Sequence, residues 1–209
     1  MRVAGVDGTK GGWAAIVLED GAFRRAELLS PVATDFRTVD DAEVIAVDVP
    51  IGFGPRRADA AARSFLSGAA STVFTTPPRA LLEAPYRPGL PLSAQSHALG
   101  PRIVHLTGLA RVDARFREVH PEVSFRAMNG GRPLRYRKKS AGGALERLEL
   151  LRDSGIELGV LGDAGRAPLD DVLDAAAAAW SAHRIAAGRG RALPDPPELL
   201  DGYPAAVWY

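Results

Sequence analysis

Two short apolar runs, each containing an aspartate near its end, give the clearest pattern along the chain. The first run is Val3-Ala4-Gly5-Val6-Asp7-Gly8, and the second is Val44-Ile45-Ala46-Val47-Asp48-Val49-Pro50-Ile51-Gly52. Continuous Val and Ile runs bounded by Gly and Pro are typical of strands buried on both faces of a sheet. A carboxylate that ends such a strand is costly unless it is paired, neutralised or bound to a metal. The pattern therefore predicts two core strands and indicates a metal site where they end.

The rest of the first half is predicted to complete a sheet and then to become helical. Residues 13–18 and 23–29 follow the first strand and alternate loosely, which predicts an antiparallel meander of three strands. Val32, Phe36 and Val39 recur at helical spacing, which favours a short helix within residues 30–41. Residues 55–109 are rich in Arg, Ala and Pro and contain no alternating strand. This region is therefore predicted to be a helical insertion.

The second half is predicted to add one strand and two helices. Residues 117–125 are the fifth strand candidate, in which alternation places Glu118, His120 and Glu122 on one face and Pro121 marks an edge or an end. A helix from about residue 144 to residue 154 ends at Gly155, and another begins near Asp170. The apolar residues 205–209 are expected to dock on the body. We therefore expect residues 1–209 to form one α/β domain, with a mixed sheet flanked by helices.

Composition narrows the classes of function. The 209 residues are 46% hydrophobic and 24% charged, and the net charge is +1. Because a net charge of +1 gives only a weak overall electrostatic field, any basic surface that binds an acidic partner must be confined to one part of the chain. The absence of cysteine excludes disulfides, thiolate zinc sites and cysteine nucleophiles, and it fits a reducing compartment, so a cytoplasmic location is expected. Neither a signal peptide nor a membrane-spanning segment is expected.

A third group of acids opens the last predicted helix. Asp174 shares a face with Asp170 and Asp171, because residues three and four apart are neighbours on a helix. Acids in a first turn also cap free N–H groups, which is the alternative for Asp170 and Asp171. An alanine run follows Asp174, so its face lies close to the packed side of the helix, and it is the better ligand candidate.

The strand acids also have structural alternatives. Asp7-Gly8 is a strong hairpin-turn dipeptide. Asp48 could accept backbone N–H bonds where its strand enters a loop, and Glu122 could be a solvated residue of an edge strand.

The acids follow the order first strand, fourth strand, fifth strand and late helix, and they lie within recognisable motifs. These motifs are Gly5-Val6-Asp7-Gly8 with Gly11-Gly12-Trp13, Asp48-Val49-Pro50-Ile51-Gly52, Arg57-Ala58-Asp59 with Arg63, Ser71-Thr72-Val73-Phe74 with Thr76-Pro77, Glu118-Val119-His120-Pro121-Glu122 with Phe125, Lys138-Lys139 through Gly142-Gly143 to Arg147, and Asp170-Asp171-Val172-Leu173-Asp174-Ala175. The order resembles the RNase H-like fold. Over nearly its whole length the chain resembles a prokaryotic family of uncharacterised proteins described as predicted RNase H-like nucleases.

The resemblance implies a catalytic set of Asp7, Asp48, Glu122 and Asp174. Together with Asp171 as a further candidate ligand, these acids would hold Mg²⁺ or Mn²⁺, ions that prefer oxygen donors. Two such ions about 3.5–4 Å apart would support in-line hydrolysis of a phosphodiester without a side-chain nucleophile. His120 would orient a ligand or assist proton transfer. The alternative is that His120 has only a structural role.

Two further stretches suit a nucleic acid or nucleotide as substrate. Residues 132–139 are the densest basic stretch and include Arg135, Tyr136, Lys138 and Lys139. A basic stretch with an aromatic in its middle favours backbone contacts and base stacking on a single strand, although such a loop is often only solvated. The hydroxyl-rich segment 71–79 ends in Arg79 and is either a substrate loop or simply a helix start.

Two other classes of function stay open. The stretch Asp7-Gly8-Thr9-Lys10-Gly11-Gly12 resembles the first phosphate loop of the actin and sugar-kinase superfamily, in which Gly allows close approach to phosphate and Thr donates a hydroxyl. The only later candidate for a second loop, Gly162-Asp163-Ala164-Gly165, does not match. The third class is a non-catalytic binding module, in which the acidic residues only cap strands and helices. The sequence carries no indication of oligomeric state.

Overall fold

A computed structural model describes the chain except for Gly11, residues 31–35, Arg37 and Thr38. The helix expected within residues 30–41 falls mostly outside this description. None of the described helices is long and apolar enough to cross a membrane.

A five-stranded sheet forms the centre of the fold. The antiparallel strands are β1 (Arg2–Thr9), β2 (Gly12–Glu19) and β3 (Ala22–Leu29). The parallel strands are β4 (Val44–Val47), which pairs with β1, and β5 (Phe116–Glu118), which pairs with β4. The strand order is therefore β3-β2-β1-β4-β5. The predicted α/β architecture, an antiparallel meander extended by parallel strands, is confirmed.

The helices occupy two stretches of the chain. Between β4 and β5 lie α1 (Arg57–Leu66), a 3₁₀ helix (Ser67–Thr72), α2 (Arg79–Glu83), α3 (Ala94–Ala98) and α4 (Gly100–Val112), in the region predicted to be a helical insertion. After β5 come α5 (Pro121–Met128), α6 (Ala141–Asp153), a 3₁₀ helix (Gly162–Arg166) and α7 (Leu169–Ala186). Gly155 follows α6 with a φ of 87°, the left-handed conformation that ends many helices.

The prediction of a strand over residues 117–125 is wrong beyond Glu118, where β5 ends. Pro121 begins α5, where its fixed φ suits the helix and its missing N–H costs nothing, since the first helical N–H groups have no partner in the helix. Strand alternation therefore does not apply to Glu118, His120 and Glu122.

One face of the sheet packs directly against α7. Residues Val3, Gly5 and Asp7 alternate toward that face of β1. A Cβ atom on Gly5 would lie 1.9 Å from the backbone nitrogen of Ala179 and 2.2 Å from the carbonyl oxygen of Ala175. Only glycine leaves room for so close an approach. The buried alanines of α7 complete this contact, so the helix and the strand meet almost backbone to backbone.

The end of the chain docks on the body, as expected, and forms a hairpin that the sequence pattern did not predict. Strands β6 (Ala192–Leu200) and β7 (Tyr203–Trp208) are antiparallel, and Trp208 forms a parallel bridge with Val119. Ala205, Ala206 and Val207 are buried.

Candidate active site

Three carboxylates meet where β1, β4 and α7 come together. Asp7 lies near the end of β1, Asp48 follows β4 directly, and Asp174 lies on the second turn of α7. One oxygen atom from each of them lies within 4.8 Å of the others. Asp7 and Asp48 face α7 because they continue the alternation of Val3 and Gly5 on one strand and of Val44 and Ala46 on the other.

The contacts of the two strand aspartates differ: Asp7 Oδ1 accepts the Gly8 N–H over 2.6 Å, whereas Asp48 lacks such a contact among the described residues. Asp7 and Gly8 are paired within β1, opposite Ala14 and Trp13, so they belong to the strand and do not form a hairpin turn. Among the described residues no donor forms a hydrogen bond with the Asp48 carboxylate, although its own N–H donates to the Val6 carbonyl over 3.0 Å. The Asp48 side chain is therefore not held by backbone N–H groups.

Burial raises the pKa of all three acids. The pKa of Asp174, which is 2% exposed, rises to about 7, chiefly through loss of hydration. Loss of hydration and then the neighbouring charge of Asp174 raise the pKa of Asp48 well above its ordinary value. Loss of hydration, followed by the charges of Asp48 and Asp174, also raises the pKa of Asp7 well above its ordinary value. Three ionised carboxylates at this spacing are stable only with added positive charge.

Lys138 supplies one positive charge from the loop before α6. Its ammonium donates to Asp174 Oδ2. The other oxygen of that carboxylate, Oδ1, is buried and has no hydrogen-bond partner among the described residues. A buried acceptor without a donor is costly, so this oxygen is poised to receive a cation or a donor from outside the chain.

A buried ion-pair network fixes the loop that follows Asp48. Arg56 Nη2 donates to Glu118 Oε1 over 2.8 Å and to Asp59 Oδ1, and Arg56 Nε lies 3.1 Å from the same Asp59 oxygen. The Ile51 N–H donates to Glu118 over 2.7 Å, and the Ile51 carbonyl accepts from Arg56 over 2.9 Å. Glu118, predicted to share a face with Glu122, instead belongs to this network. Asp59 also accepts the Thr76 N–H over 2.9 Å, so the network links the insertion to the sheet.

Glu122 and Asp171 lie beside the three carboxylates and outside the group that meets within 4.8 Å. Glu122 is ion-paired with Arg147 over 2.6 Å, and its charge raises the pKa of Asp48 and Asp174. Asp171 lies one turn before Asp174 and contributes to the raised pKa of Asp7. Both therefore act on the three carboxylates through their charge.

Two cavities flank Asp48. The larger, which we call the basic cavity, has a volume of about 580 Å³ and is lined by Asp48, Asp174 and Glu122 together with basic and aromatic residues. The smaller, the hairpin cavity, has a volume of about 390 Å³ and contains Asp7 and Asp48. Asp48, Thr72 and His120 line both. His120 Nε2 lies 3.2 Å from the Thr72 carbonyl, a contact that ties the insertion to the end of β5.

The predicted substrate residues lie in different places. Arg135 lines the basic cavity together with Lys138, while Lys139 is largely exposed and lies 3.9 Å from Asp170. Arg79 lines neither cavity and pairs with Glu83 over 2.7 Å. Thr9 is buried and Lys10 is exposed, at the end of the β1–β2 hairpin.

Arg102 is a residue of this site that the sequence pattern did not indicate. Its guanidinium lies 4.6 Å from the centre of the Trp13 ring and donates to the carbonyls of Thr9 and Gly12 over 2.8 and 3.1 Å. A Cβ atom on Gly8 would lie 1.9 Å from Arg102 Nη1. Arg102 therefore packs on the hairpin and lines the hairpin cavity. No local pattern in α4 distinguishes it from the other arginines of the insertion.

The three carboxylates fit a divalent cation with oxygen ligands. Asp7, Asp48 and Asp174 offer hard donors, and Asp174 Oδ1 has no partner among the described residues. The raised pKa values mean that the three ionised carboxylates disfavour one another and their burial, which a bound cation would offset. This chemistry suits Mg²⁺ or Mn²⁺ better than zinc, which prefers thiolate and imidazole. Among the described residues this is the only such group of three or more histidines and acids.

Comparison with known proteins adds a family relationship. No curated protein and no solved structure matches the chain significantly. A family model does match, over residues 5–199, a range that contains all three carboxylates. The chain therefore belongs to the family described as protein of unknown function, DUF429.

Proposed function

We propose that the protein is a metal-dependent phosphodiesterase of the RNase H-like type, acting on nucleic acid, with Mg²⁺ or Mn²⁺ held by Asp7, Asp48 and Asp174. The observation that carries the proposal is the convergence of these carboxylates within 4.8 Å at the junction of two cavities. The strand order and the placement of acids on β1, after β4 and on α7 agree with the RNase H-like arrangement that the sequence resembles.

The side chains divide the chemistry between them. Asp7, Asp48 and Asp174 would hold a divalent ion, which when bound would supply the charge that activates water and stabilises the phosphoryl oxygens. The three aspartates hold that charge, so no side-chain nucleophile is required. The Lys138 ammonium and the Arg135 guanidinium, which line the same cavity, attract the substrate phosphates. The Arg56 network keeps the Asp48 loop in place during turnover.

The test is thermal unfolding with and without Mn²⁺, for the unmodified protein and for Asp48→Asn. The metal-free variant is expected to melt higher, because one of three crowded charges is gone. At 100-fold excess over the dissociation constant, Mn²⁺ is expected to stabilise the unmodified protein by about 2.7 kcal/mol and the variant far less. Asp195→Asn, the same change at an exposed aspartate away from both cavities, is the matched control.

Hydrolysis is then measured on labelled oligonucleotides with Mn²⁺ or Mg²⁺. Cleavage is expected with the unmodified protein and with Asp195→Asn, and it is expected to disappear in Asp48→Asn. If the unmodified protein gains no stability from either ion and Asp48→Asn melts lower, the aspartates are structural and the proposal is wrong. Metal binding without cleavage of any oligonucleotide would identify a non-catalytic binding module.

A further inference from the structure

We infer that Tyr136 is a stacking platform for an unpaired nucleobase, so that the basic cavity takes single-stranded rather than double-stranded nucleic acid. The inference deepens the proposed function and rests on it for the phosphodiester. Its own support comes from the packing of the Tyr136 ring, from the anchoring of its loop and from the charges around the cavity.

The Tyr136 ring is packed on one face and open on the other. A Cβ atom on Gly142 would lie 2.9, 3.0 and 3.1 Å from Cγ, Cδ1 and Cδ2 of the ring. Three adjacent ring atoms at nearly equal distance mean that the ring lies flat over Gly142, in the first turn of α6. The residue is nevertheless 55% exposed and lines the basic cavity. An aromatic face held in this way is ready to receive another flat ring.

The loop that carries the ring is anchored on α6. The Glu146 carboxylate accepts the N–H of Arg135 over 3.0 Å and the N–H of Tyr136 over 3.2 Å. Ser140 Oγ donates to the Arg137 carbonyl over 2.8 Å and caps α6 by accepting the Gly143 N–H. Because the backbone on both sides of Tyr136 is fixed, little conformational entropy is lost when a ligand stacks on the ring.

The charges around the ring suit phosphates. Of the five cations that line the basic cavity, Lys138 and Arg147 are paired with Asp174 and Glu122. The other three, Arg126, Arg135 and Arg137, have no carboxylate partner among the described residues. Arg126 donates to the carbonyls of Leu66 and Gly131 over 2.6 and 2.8 Å, so Arg135 and Arg137 are the two guanidinium groups available to a ligand. Guanidinium groups beside an exposed ring are the combination that binds the backbone and bases of a single strand. In a duplex the bases already stack on each other and leave no face for Tyr136.

The inference is tested with the full chain in EDTA, which prevents metal-dependent cleavage. The ligand is an oligonucleotide of about ten nucleotides that carries 2-aminopurine, offered as a single strand or as a duplex of the same sequence. The single strand is expected to bind more tightly and its fluorescence to be quenched by stacking. Tyr136→Ala is expected to weaken that binding by about tenfold and to remove the quenching, while Tyr136→Phe keeps both.

Two more variants control for folding and for position. Tyr86→Ala removes another exposed tyrosine, one that lines neither cavity, and is expected to change nothing. Gly142→Ala keeps the tyrosine but displaces its ring, so the quenching is expected to fall although the melting temperature stays close to that of the unmodified protein. If Tyr136→Ala fails to fold, the quenching in Gly142→Ala is compared with that in Tyr86→Ala. A loss of quenching in Gly142→Ala alone supports the inference, and unchanged quenching in both variants contradicts it.

Equal affinity for duplex and single strand, no binding of either in EDTA, or unchanged quenching in both Tyr136→Ala and Gly142→Ala would overturn the inference. Failure of the proposed function looks different. Stacking on Tyr136 that persists in EDTA and in Asp48→Asn, combined with an absence of cleavage under every metal condition, would contradict only the hydrolysis.

Discussion

The Lys138 ammonium contacts one oxygen of Asp174, while the other oxygen of the same carboxylate is buried without a partner among the described residues. Burial lowers the pKa of Lys138, but the charge and hydrogen bond of Asp174 outweigh it, so the net pKa is raised and the ammonium stays charged. The chain thus carries a cation of its own at the edge of the proposed metal site. Lys138 is 34% exposed and lines the basic cavity.

Replacing Lys138 with Met is expected to lower the stability of the metal-free protein and to enlarge its response to Mn²⁺. The variant leaves three crowded acids without their neighbouring cation, so metal-free unfolding becomes easier. The same loss removes a charge that repels the ion, so the dissociation constant for Mn²⁺ is expected to fall. Calorimetric titration and thermal unfolding measure the two effects. Lys139→Met, at a side chain that is 86% exposed, is the control and is expected to change neither.

The metal-free protein is expected to lose stability as pH rises from about 4 to about 7. Burial raises the pKa of Asp174 from 3.8 to about 7, so in this window the folded state holds a proton that the unfolded state has released. Unfolding then releases protons, and the free energy of unfolding falls as pH increases. Added Mn²⁺ is expected to bind more tightly at higher pH, because it displaces those protons.

The pH experiment needs Asp174→Asn as its reference. His120 and His183 have lowered pKa values, mainly through burial, and they lower stability as pH falls below about 6.5, which opposes the effect of Asp174. Subtracting the curve of the variant from that of the unmodified protein removes the histidine contribution. A difference that does not decline between pH 4 and pH 7 would show that Asp174 is not protonated in the folded state.

Arg56→Met is expected to destabilise the protein by about 3–5 kcal/mol, because it leaves Glu118 and Asp59 buried without their cation. Chemical denaturation measures the change. The neighbouring residue Arg57 is exposed and provides the matched control. Arg57→Met is expected to change the free energy of unfolding only slightly. Adding Glu118→Gln and Asp59→Asn to Arg56→Met is expected to recover part of the loss. An equally small effect of Arg56→Met and Arg57→Met would show that the network contributes little to stability.

Gly5→Ala is expected to destabilise the protein by about 3 kcal/mol or more, because the added methyl group has no space between β1 and α7. Gly108→Ala makes the same chemical change in the middle of α4, where nothing lies within 4 Å of the new methyl group. It is expected to stabilise the protein by about 0.5–1 kcal/mol, since alanine favours a helix over glycine. A loss of stability in Gly5→Ala together with a gain in Gly108→Ala would establish the close contact between β1 and α7. A similar effect of both would exclude it.

Local pattern predicted the elements that carry Asp7, Asp48 and Asp174 because each lies in or beside a run with a clear period. Continuous apolar strands at β1 and β4 and the alanine-rich α7 are signals of this kind. The convergence itself followed from the order of the acids along the chain and from the resemblance that this order suggested.

The errors have a different physical origin. At residues 117–125 the apolar spacing fitted a strand, and the position of Pro121 at a helix start decided otherwise. The β6–β7 hairpin was missed because its prolines hide the strand pattern. Arg56 and Arg102 owe their places to contacts with residues 62 and 93 positions away, which no local period encodes.

The contact at Gly5 also bears on which ion the proposed site selects. It fixes how far α7 lies from β1, and this spacing fixes how far Asp174 can stand from the two strand aspartates. Mg²⁺ requires oxygen ligands at about 2.0–2.1 Å, whereas Ca²⁺ accepts about 2.3–2.6 Å and more ligands. Under the proposed function, discrimination between ions of different radius is therefore set by a glycine that contacts neither the ion nor the substrate.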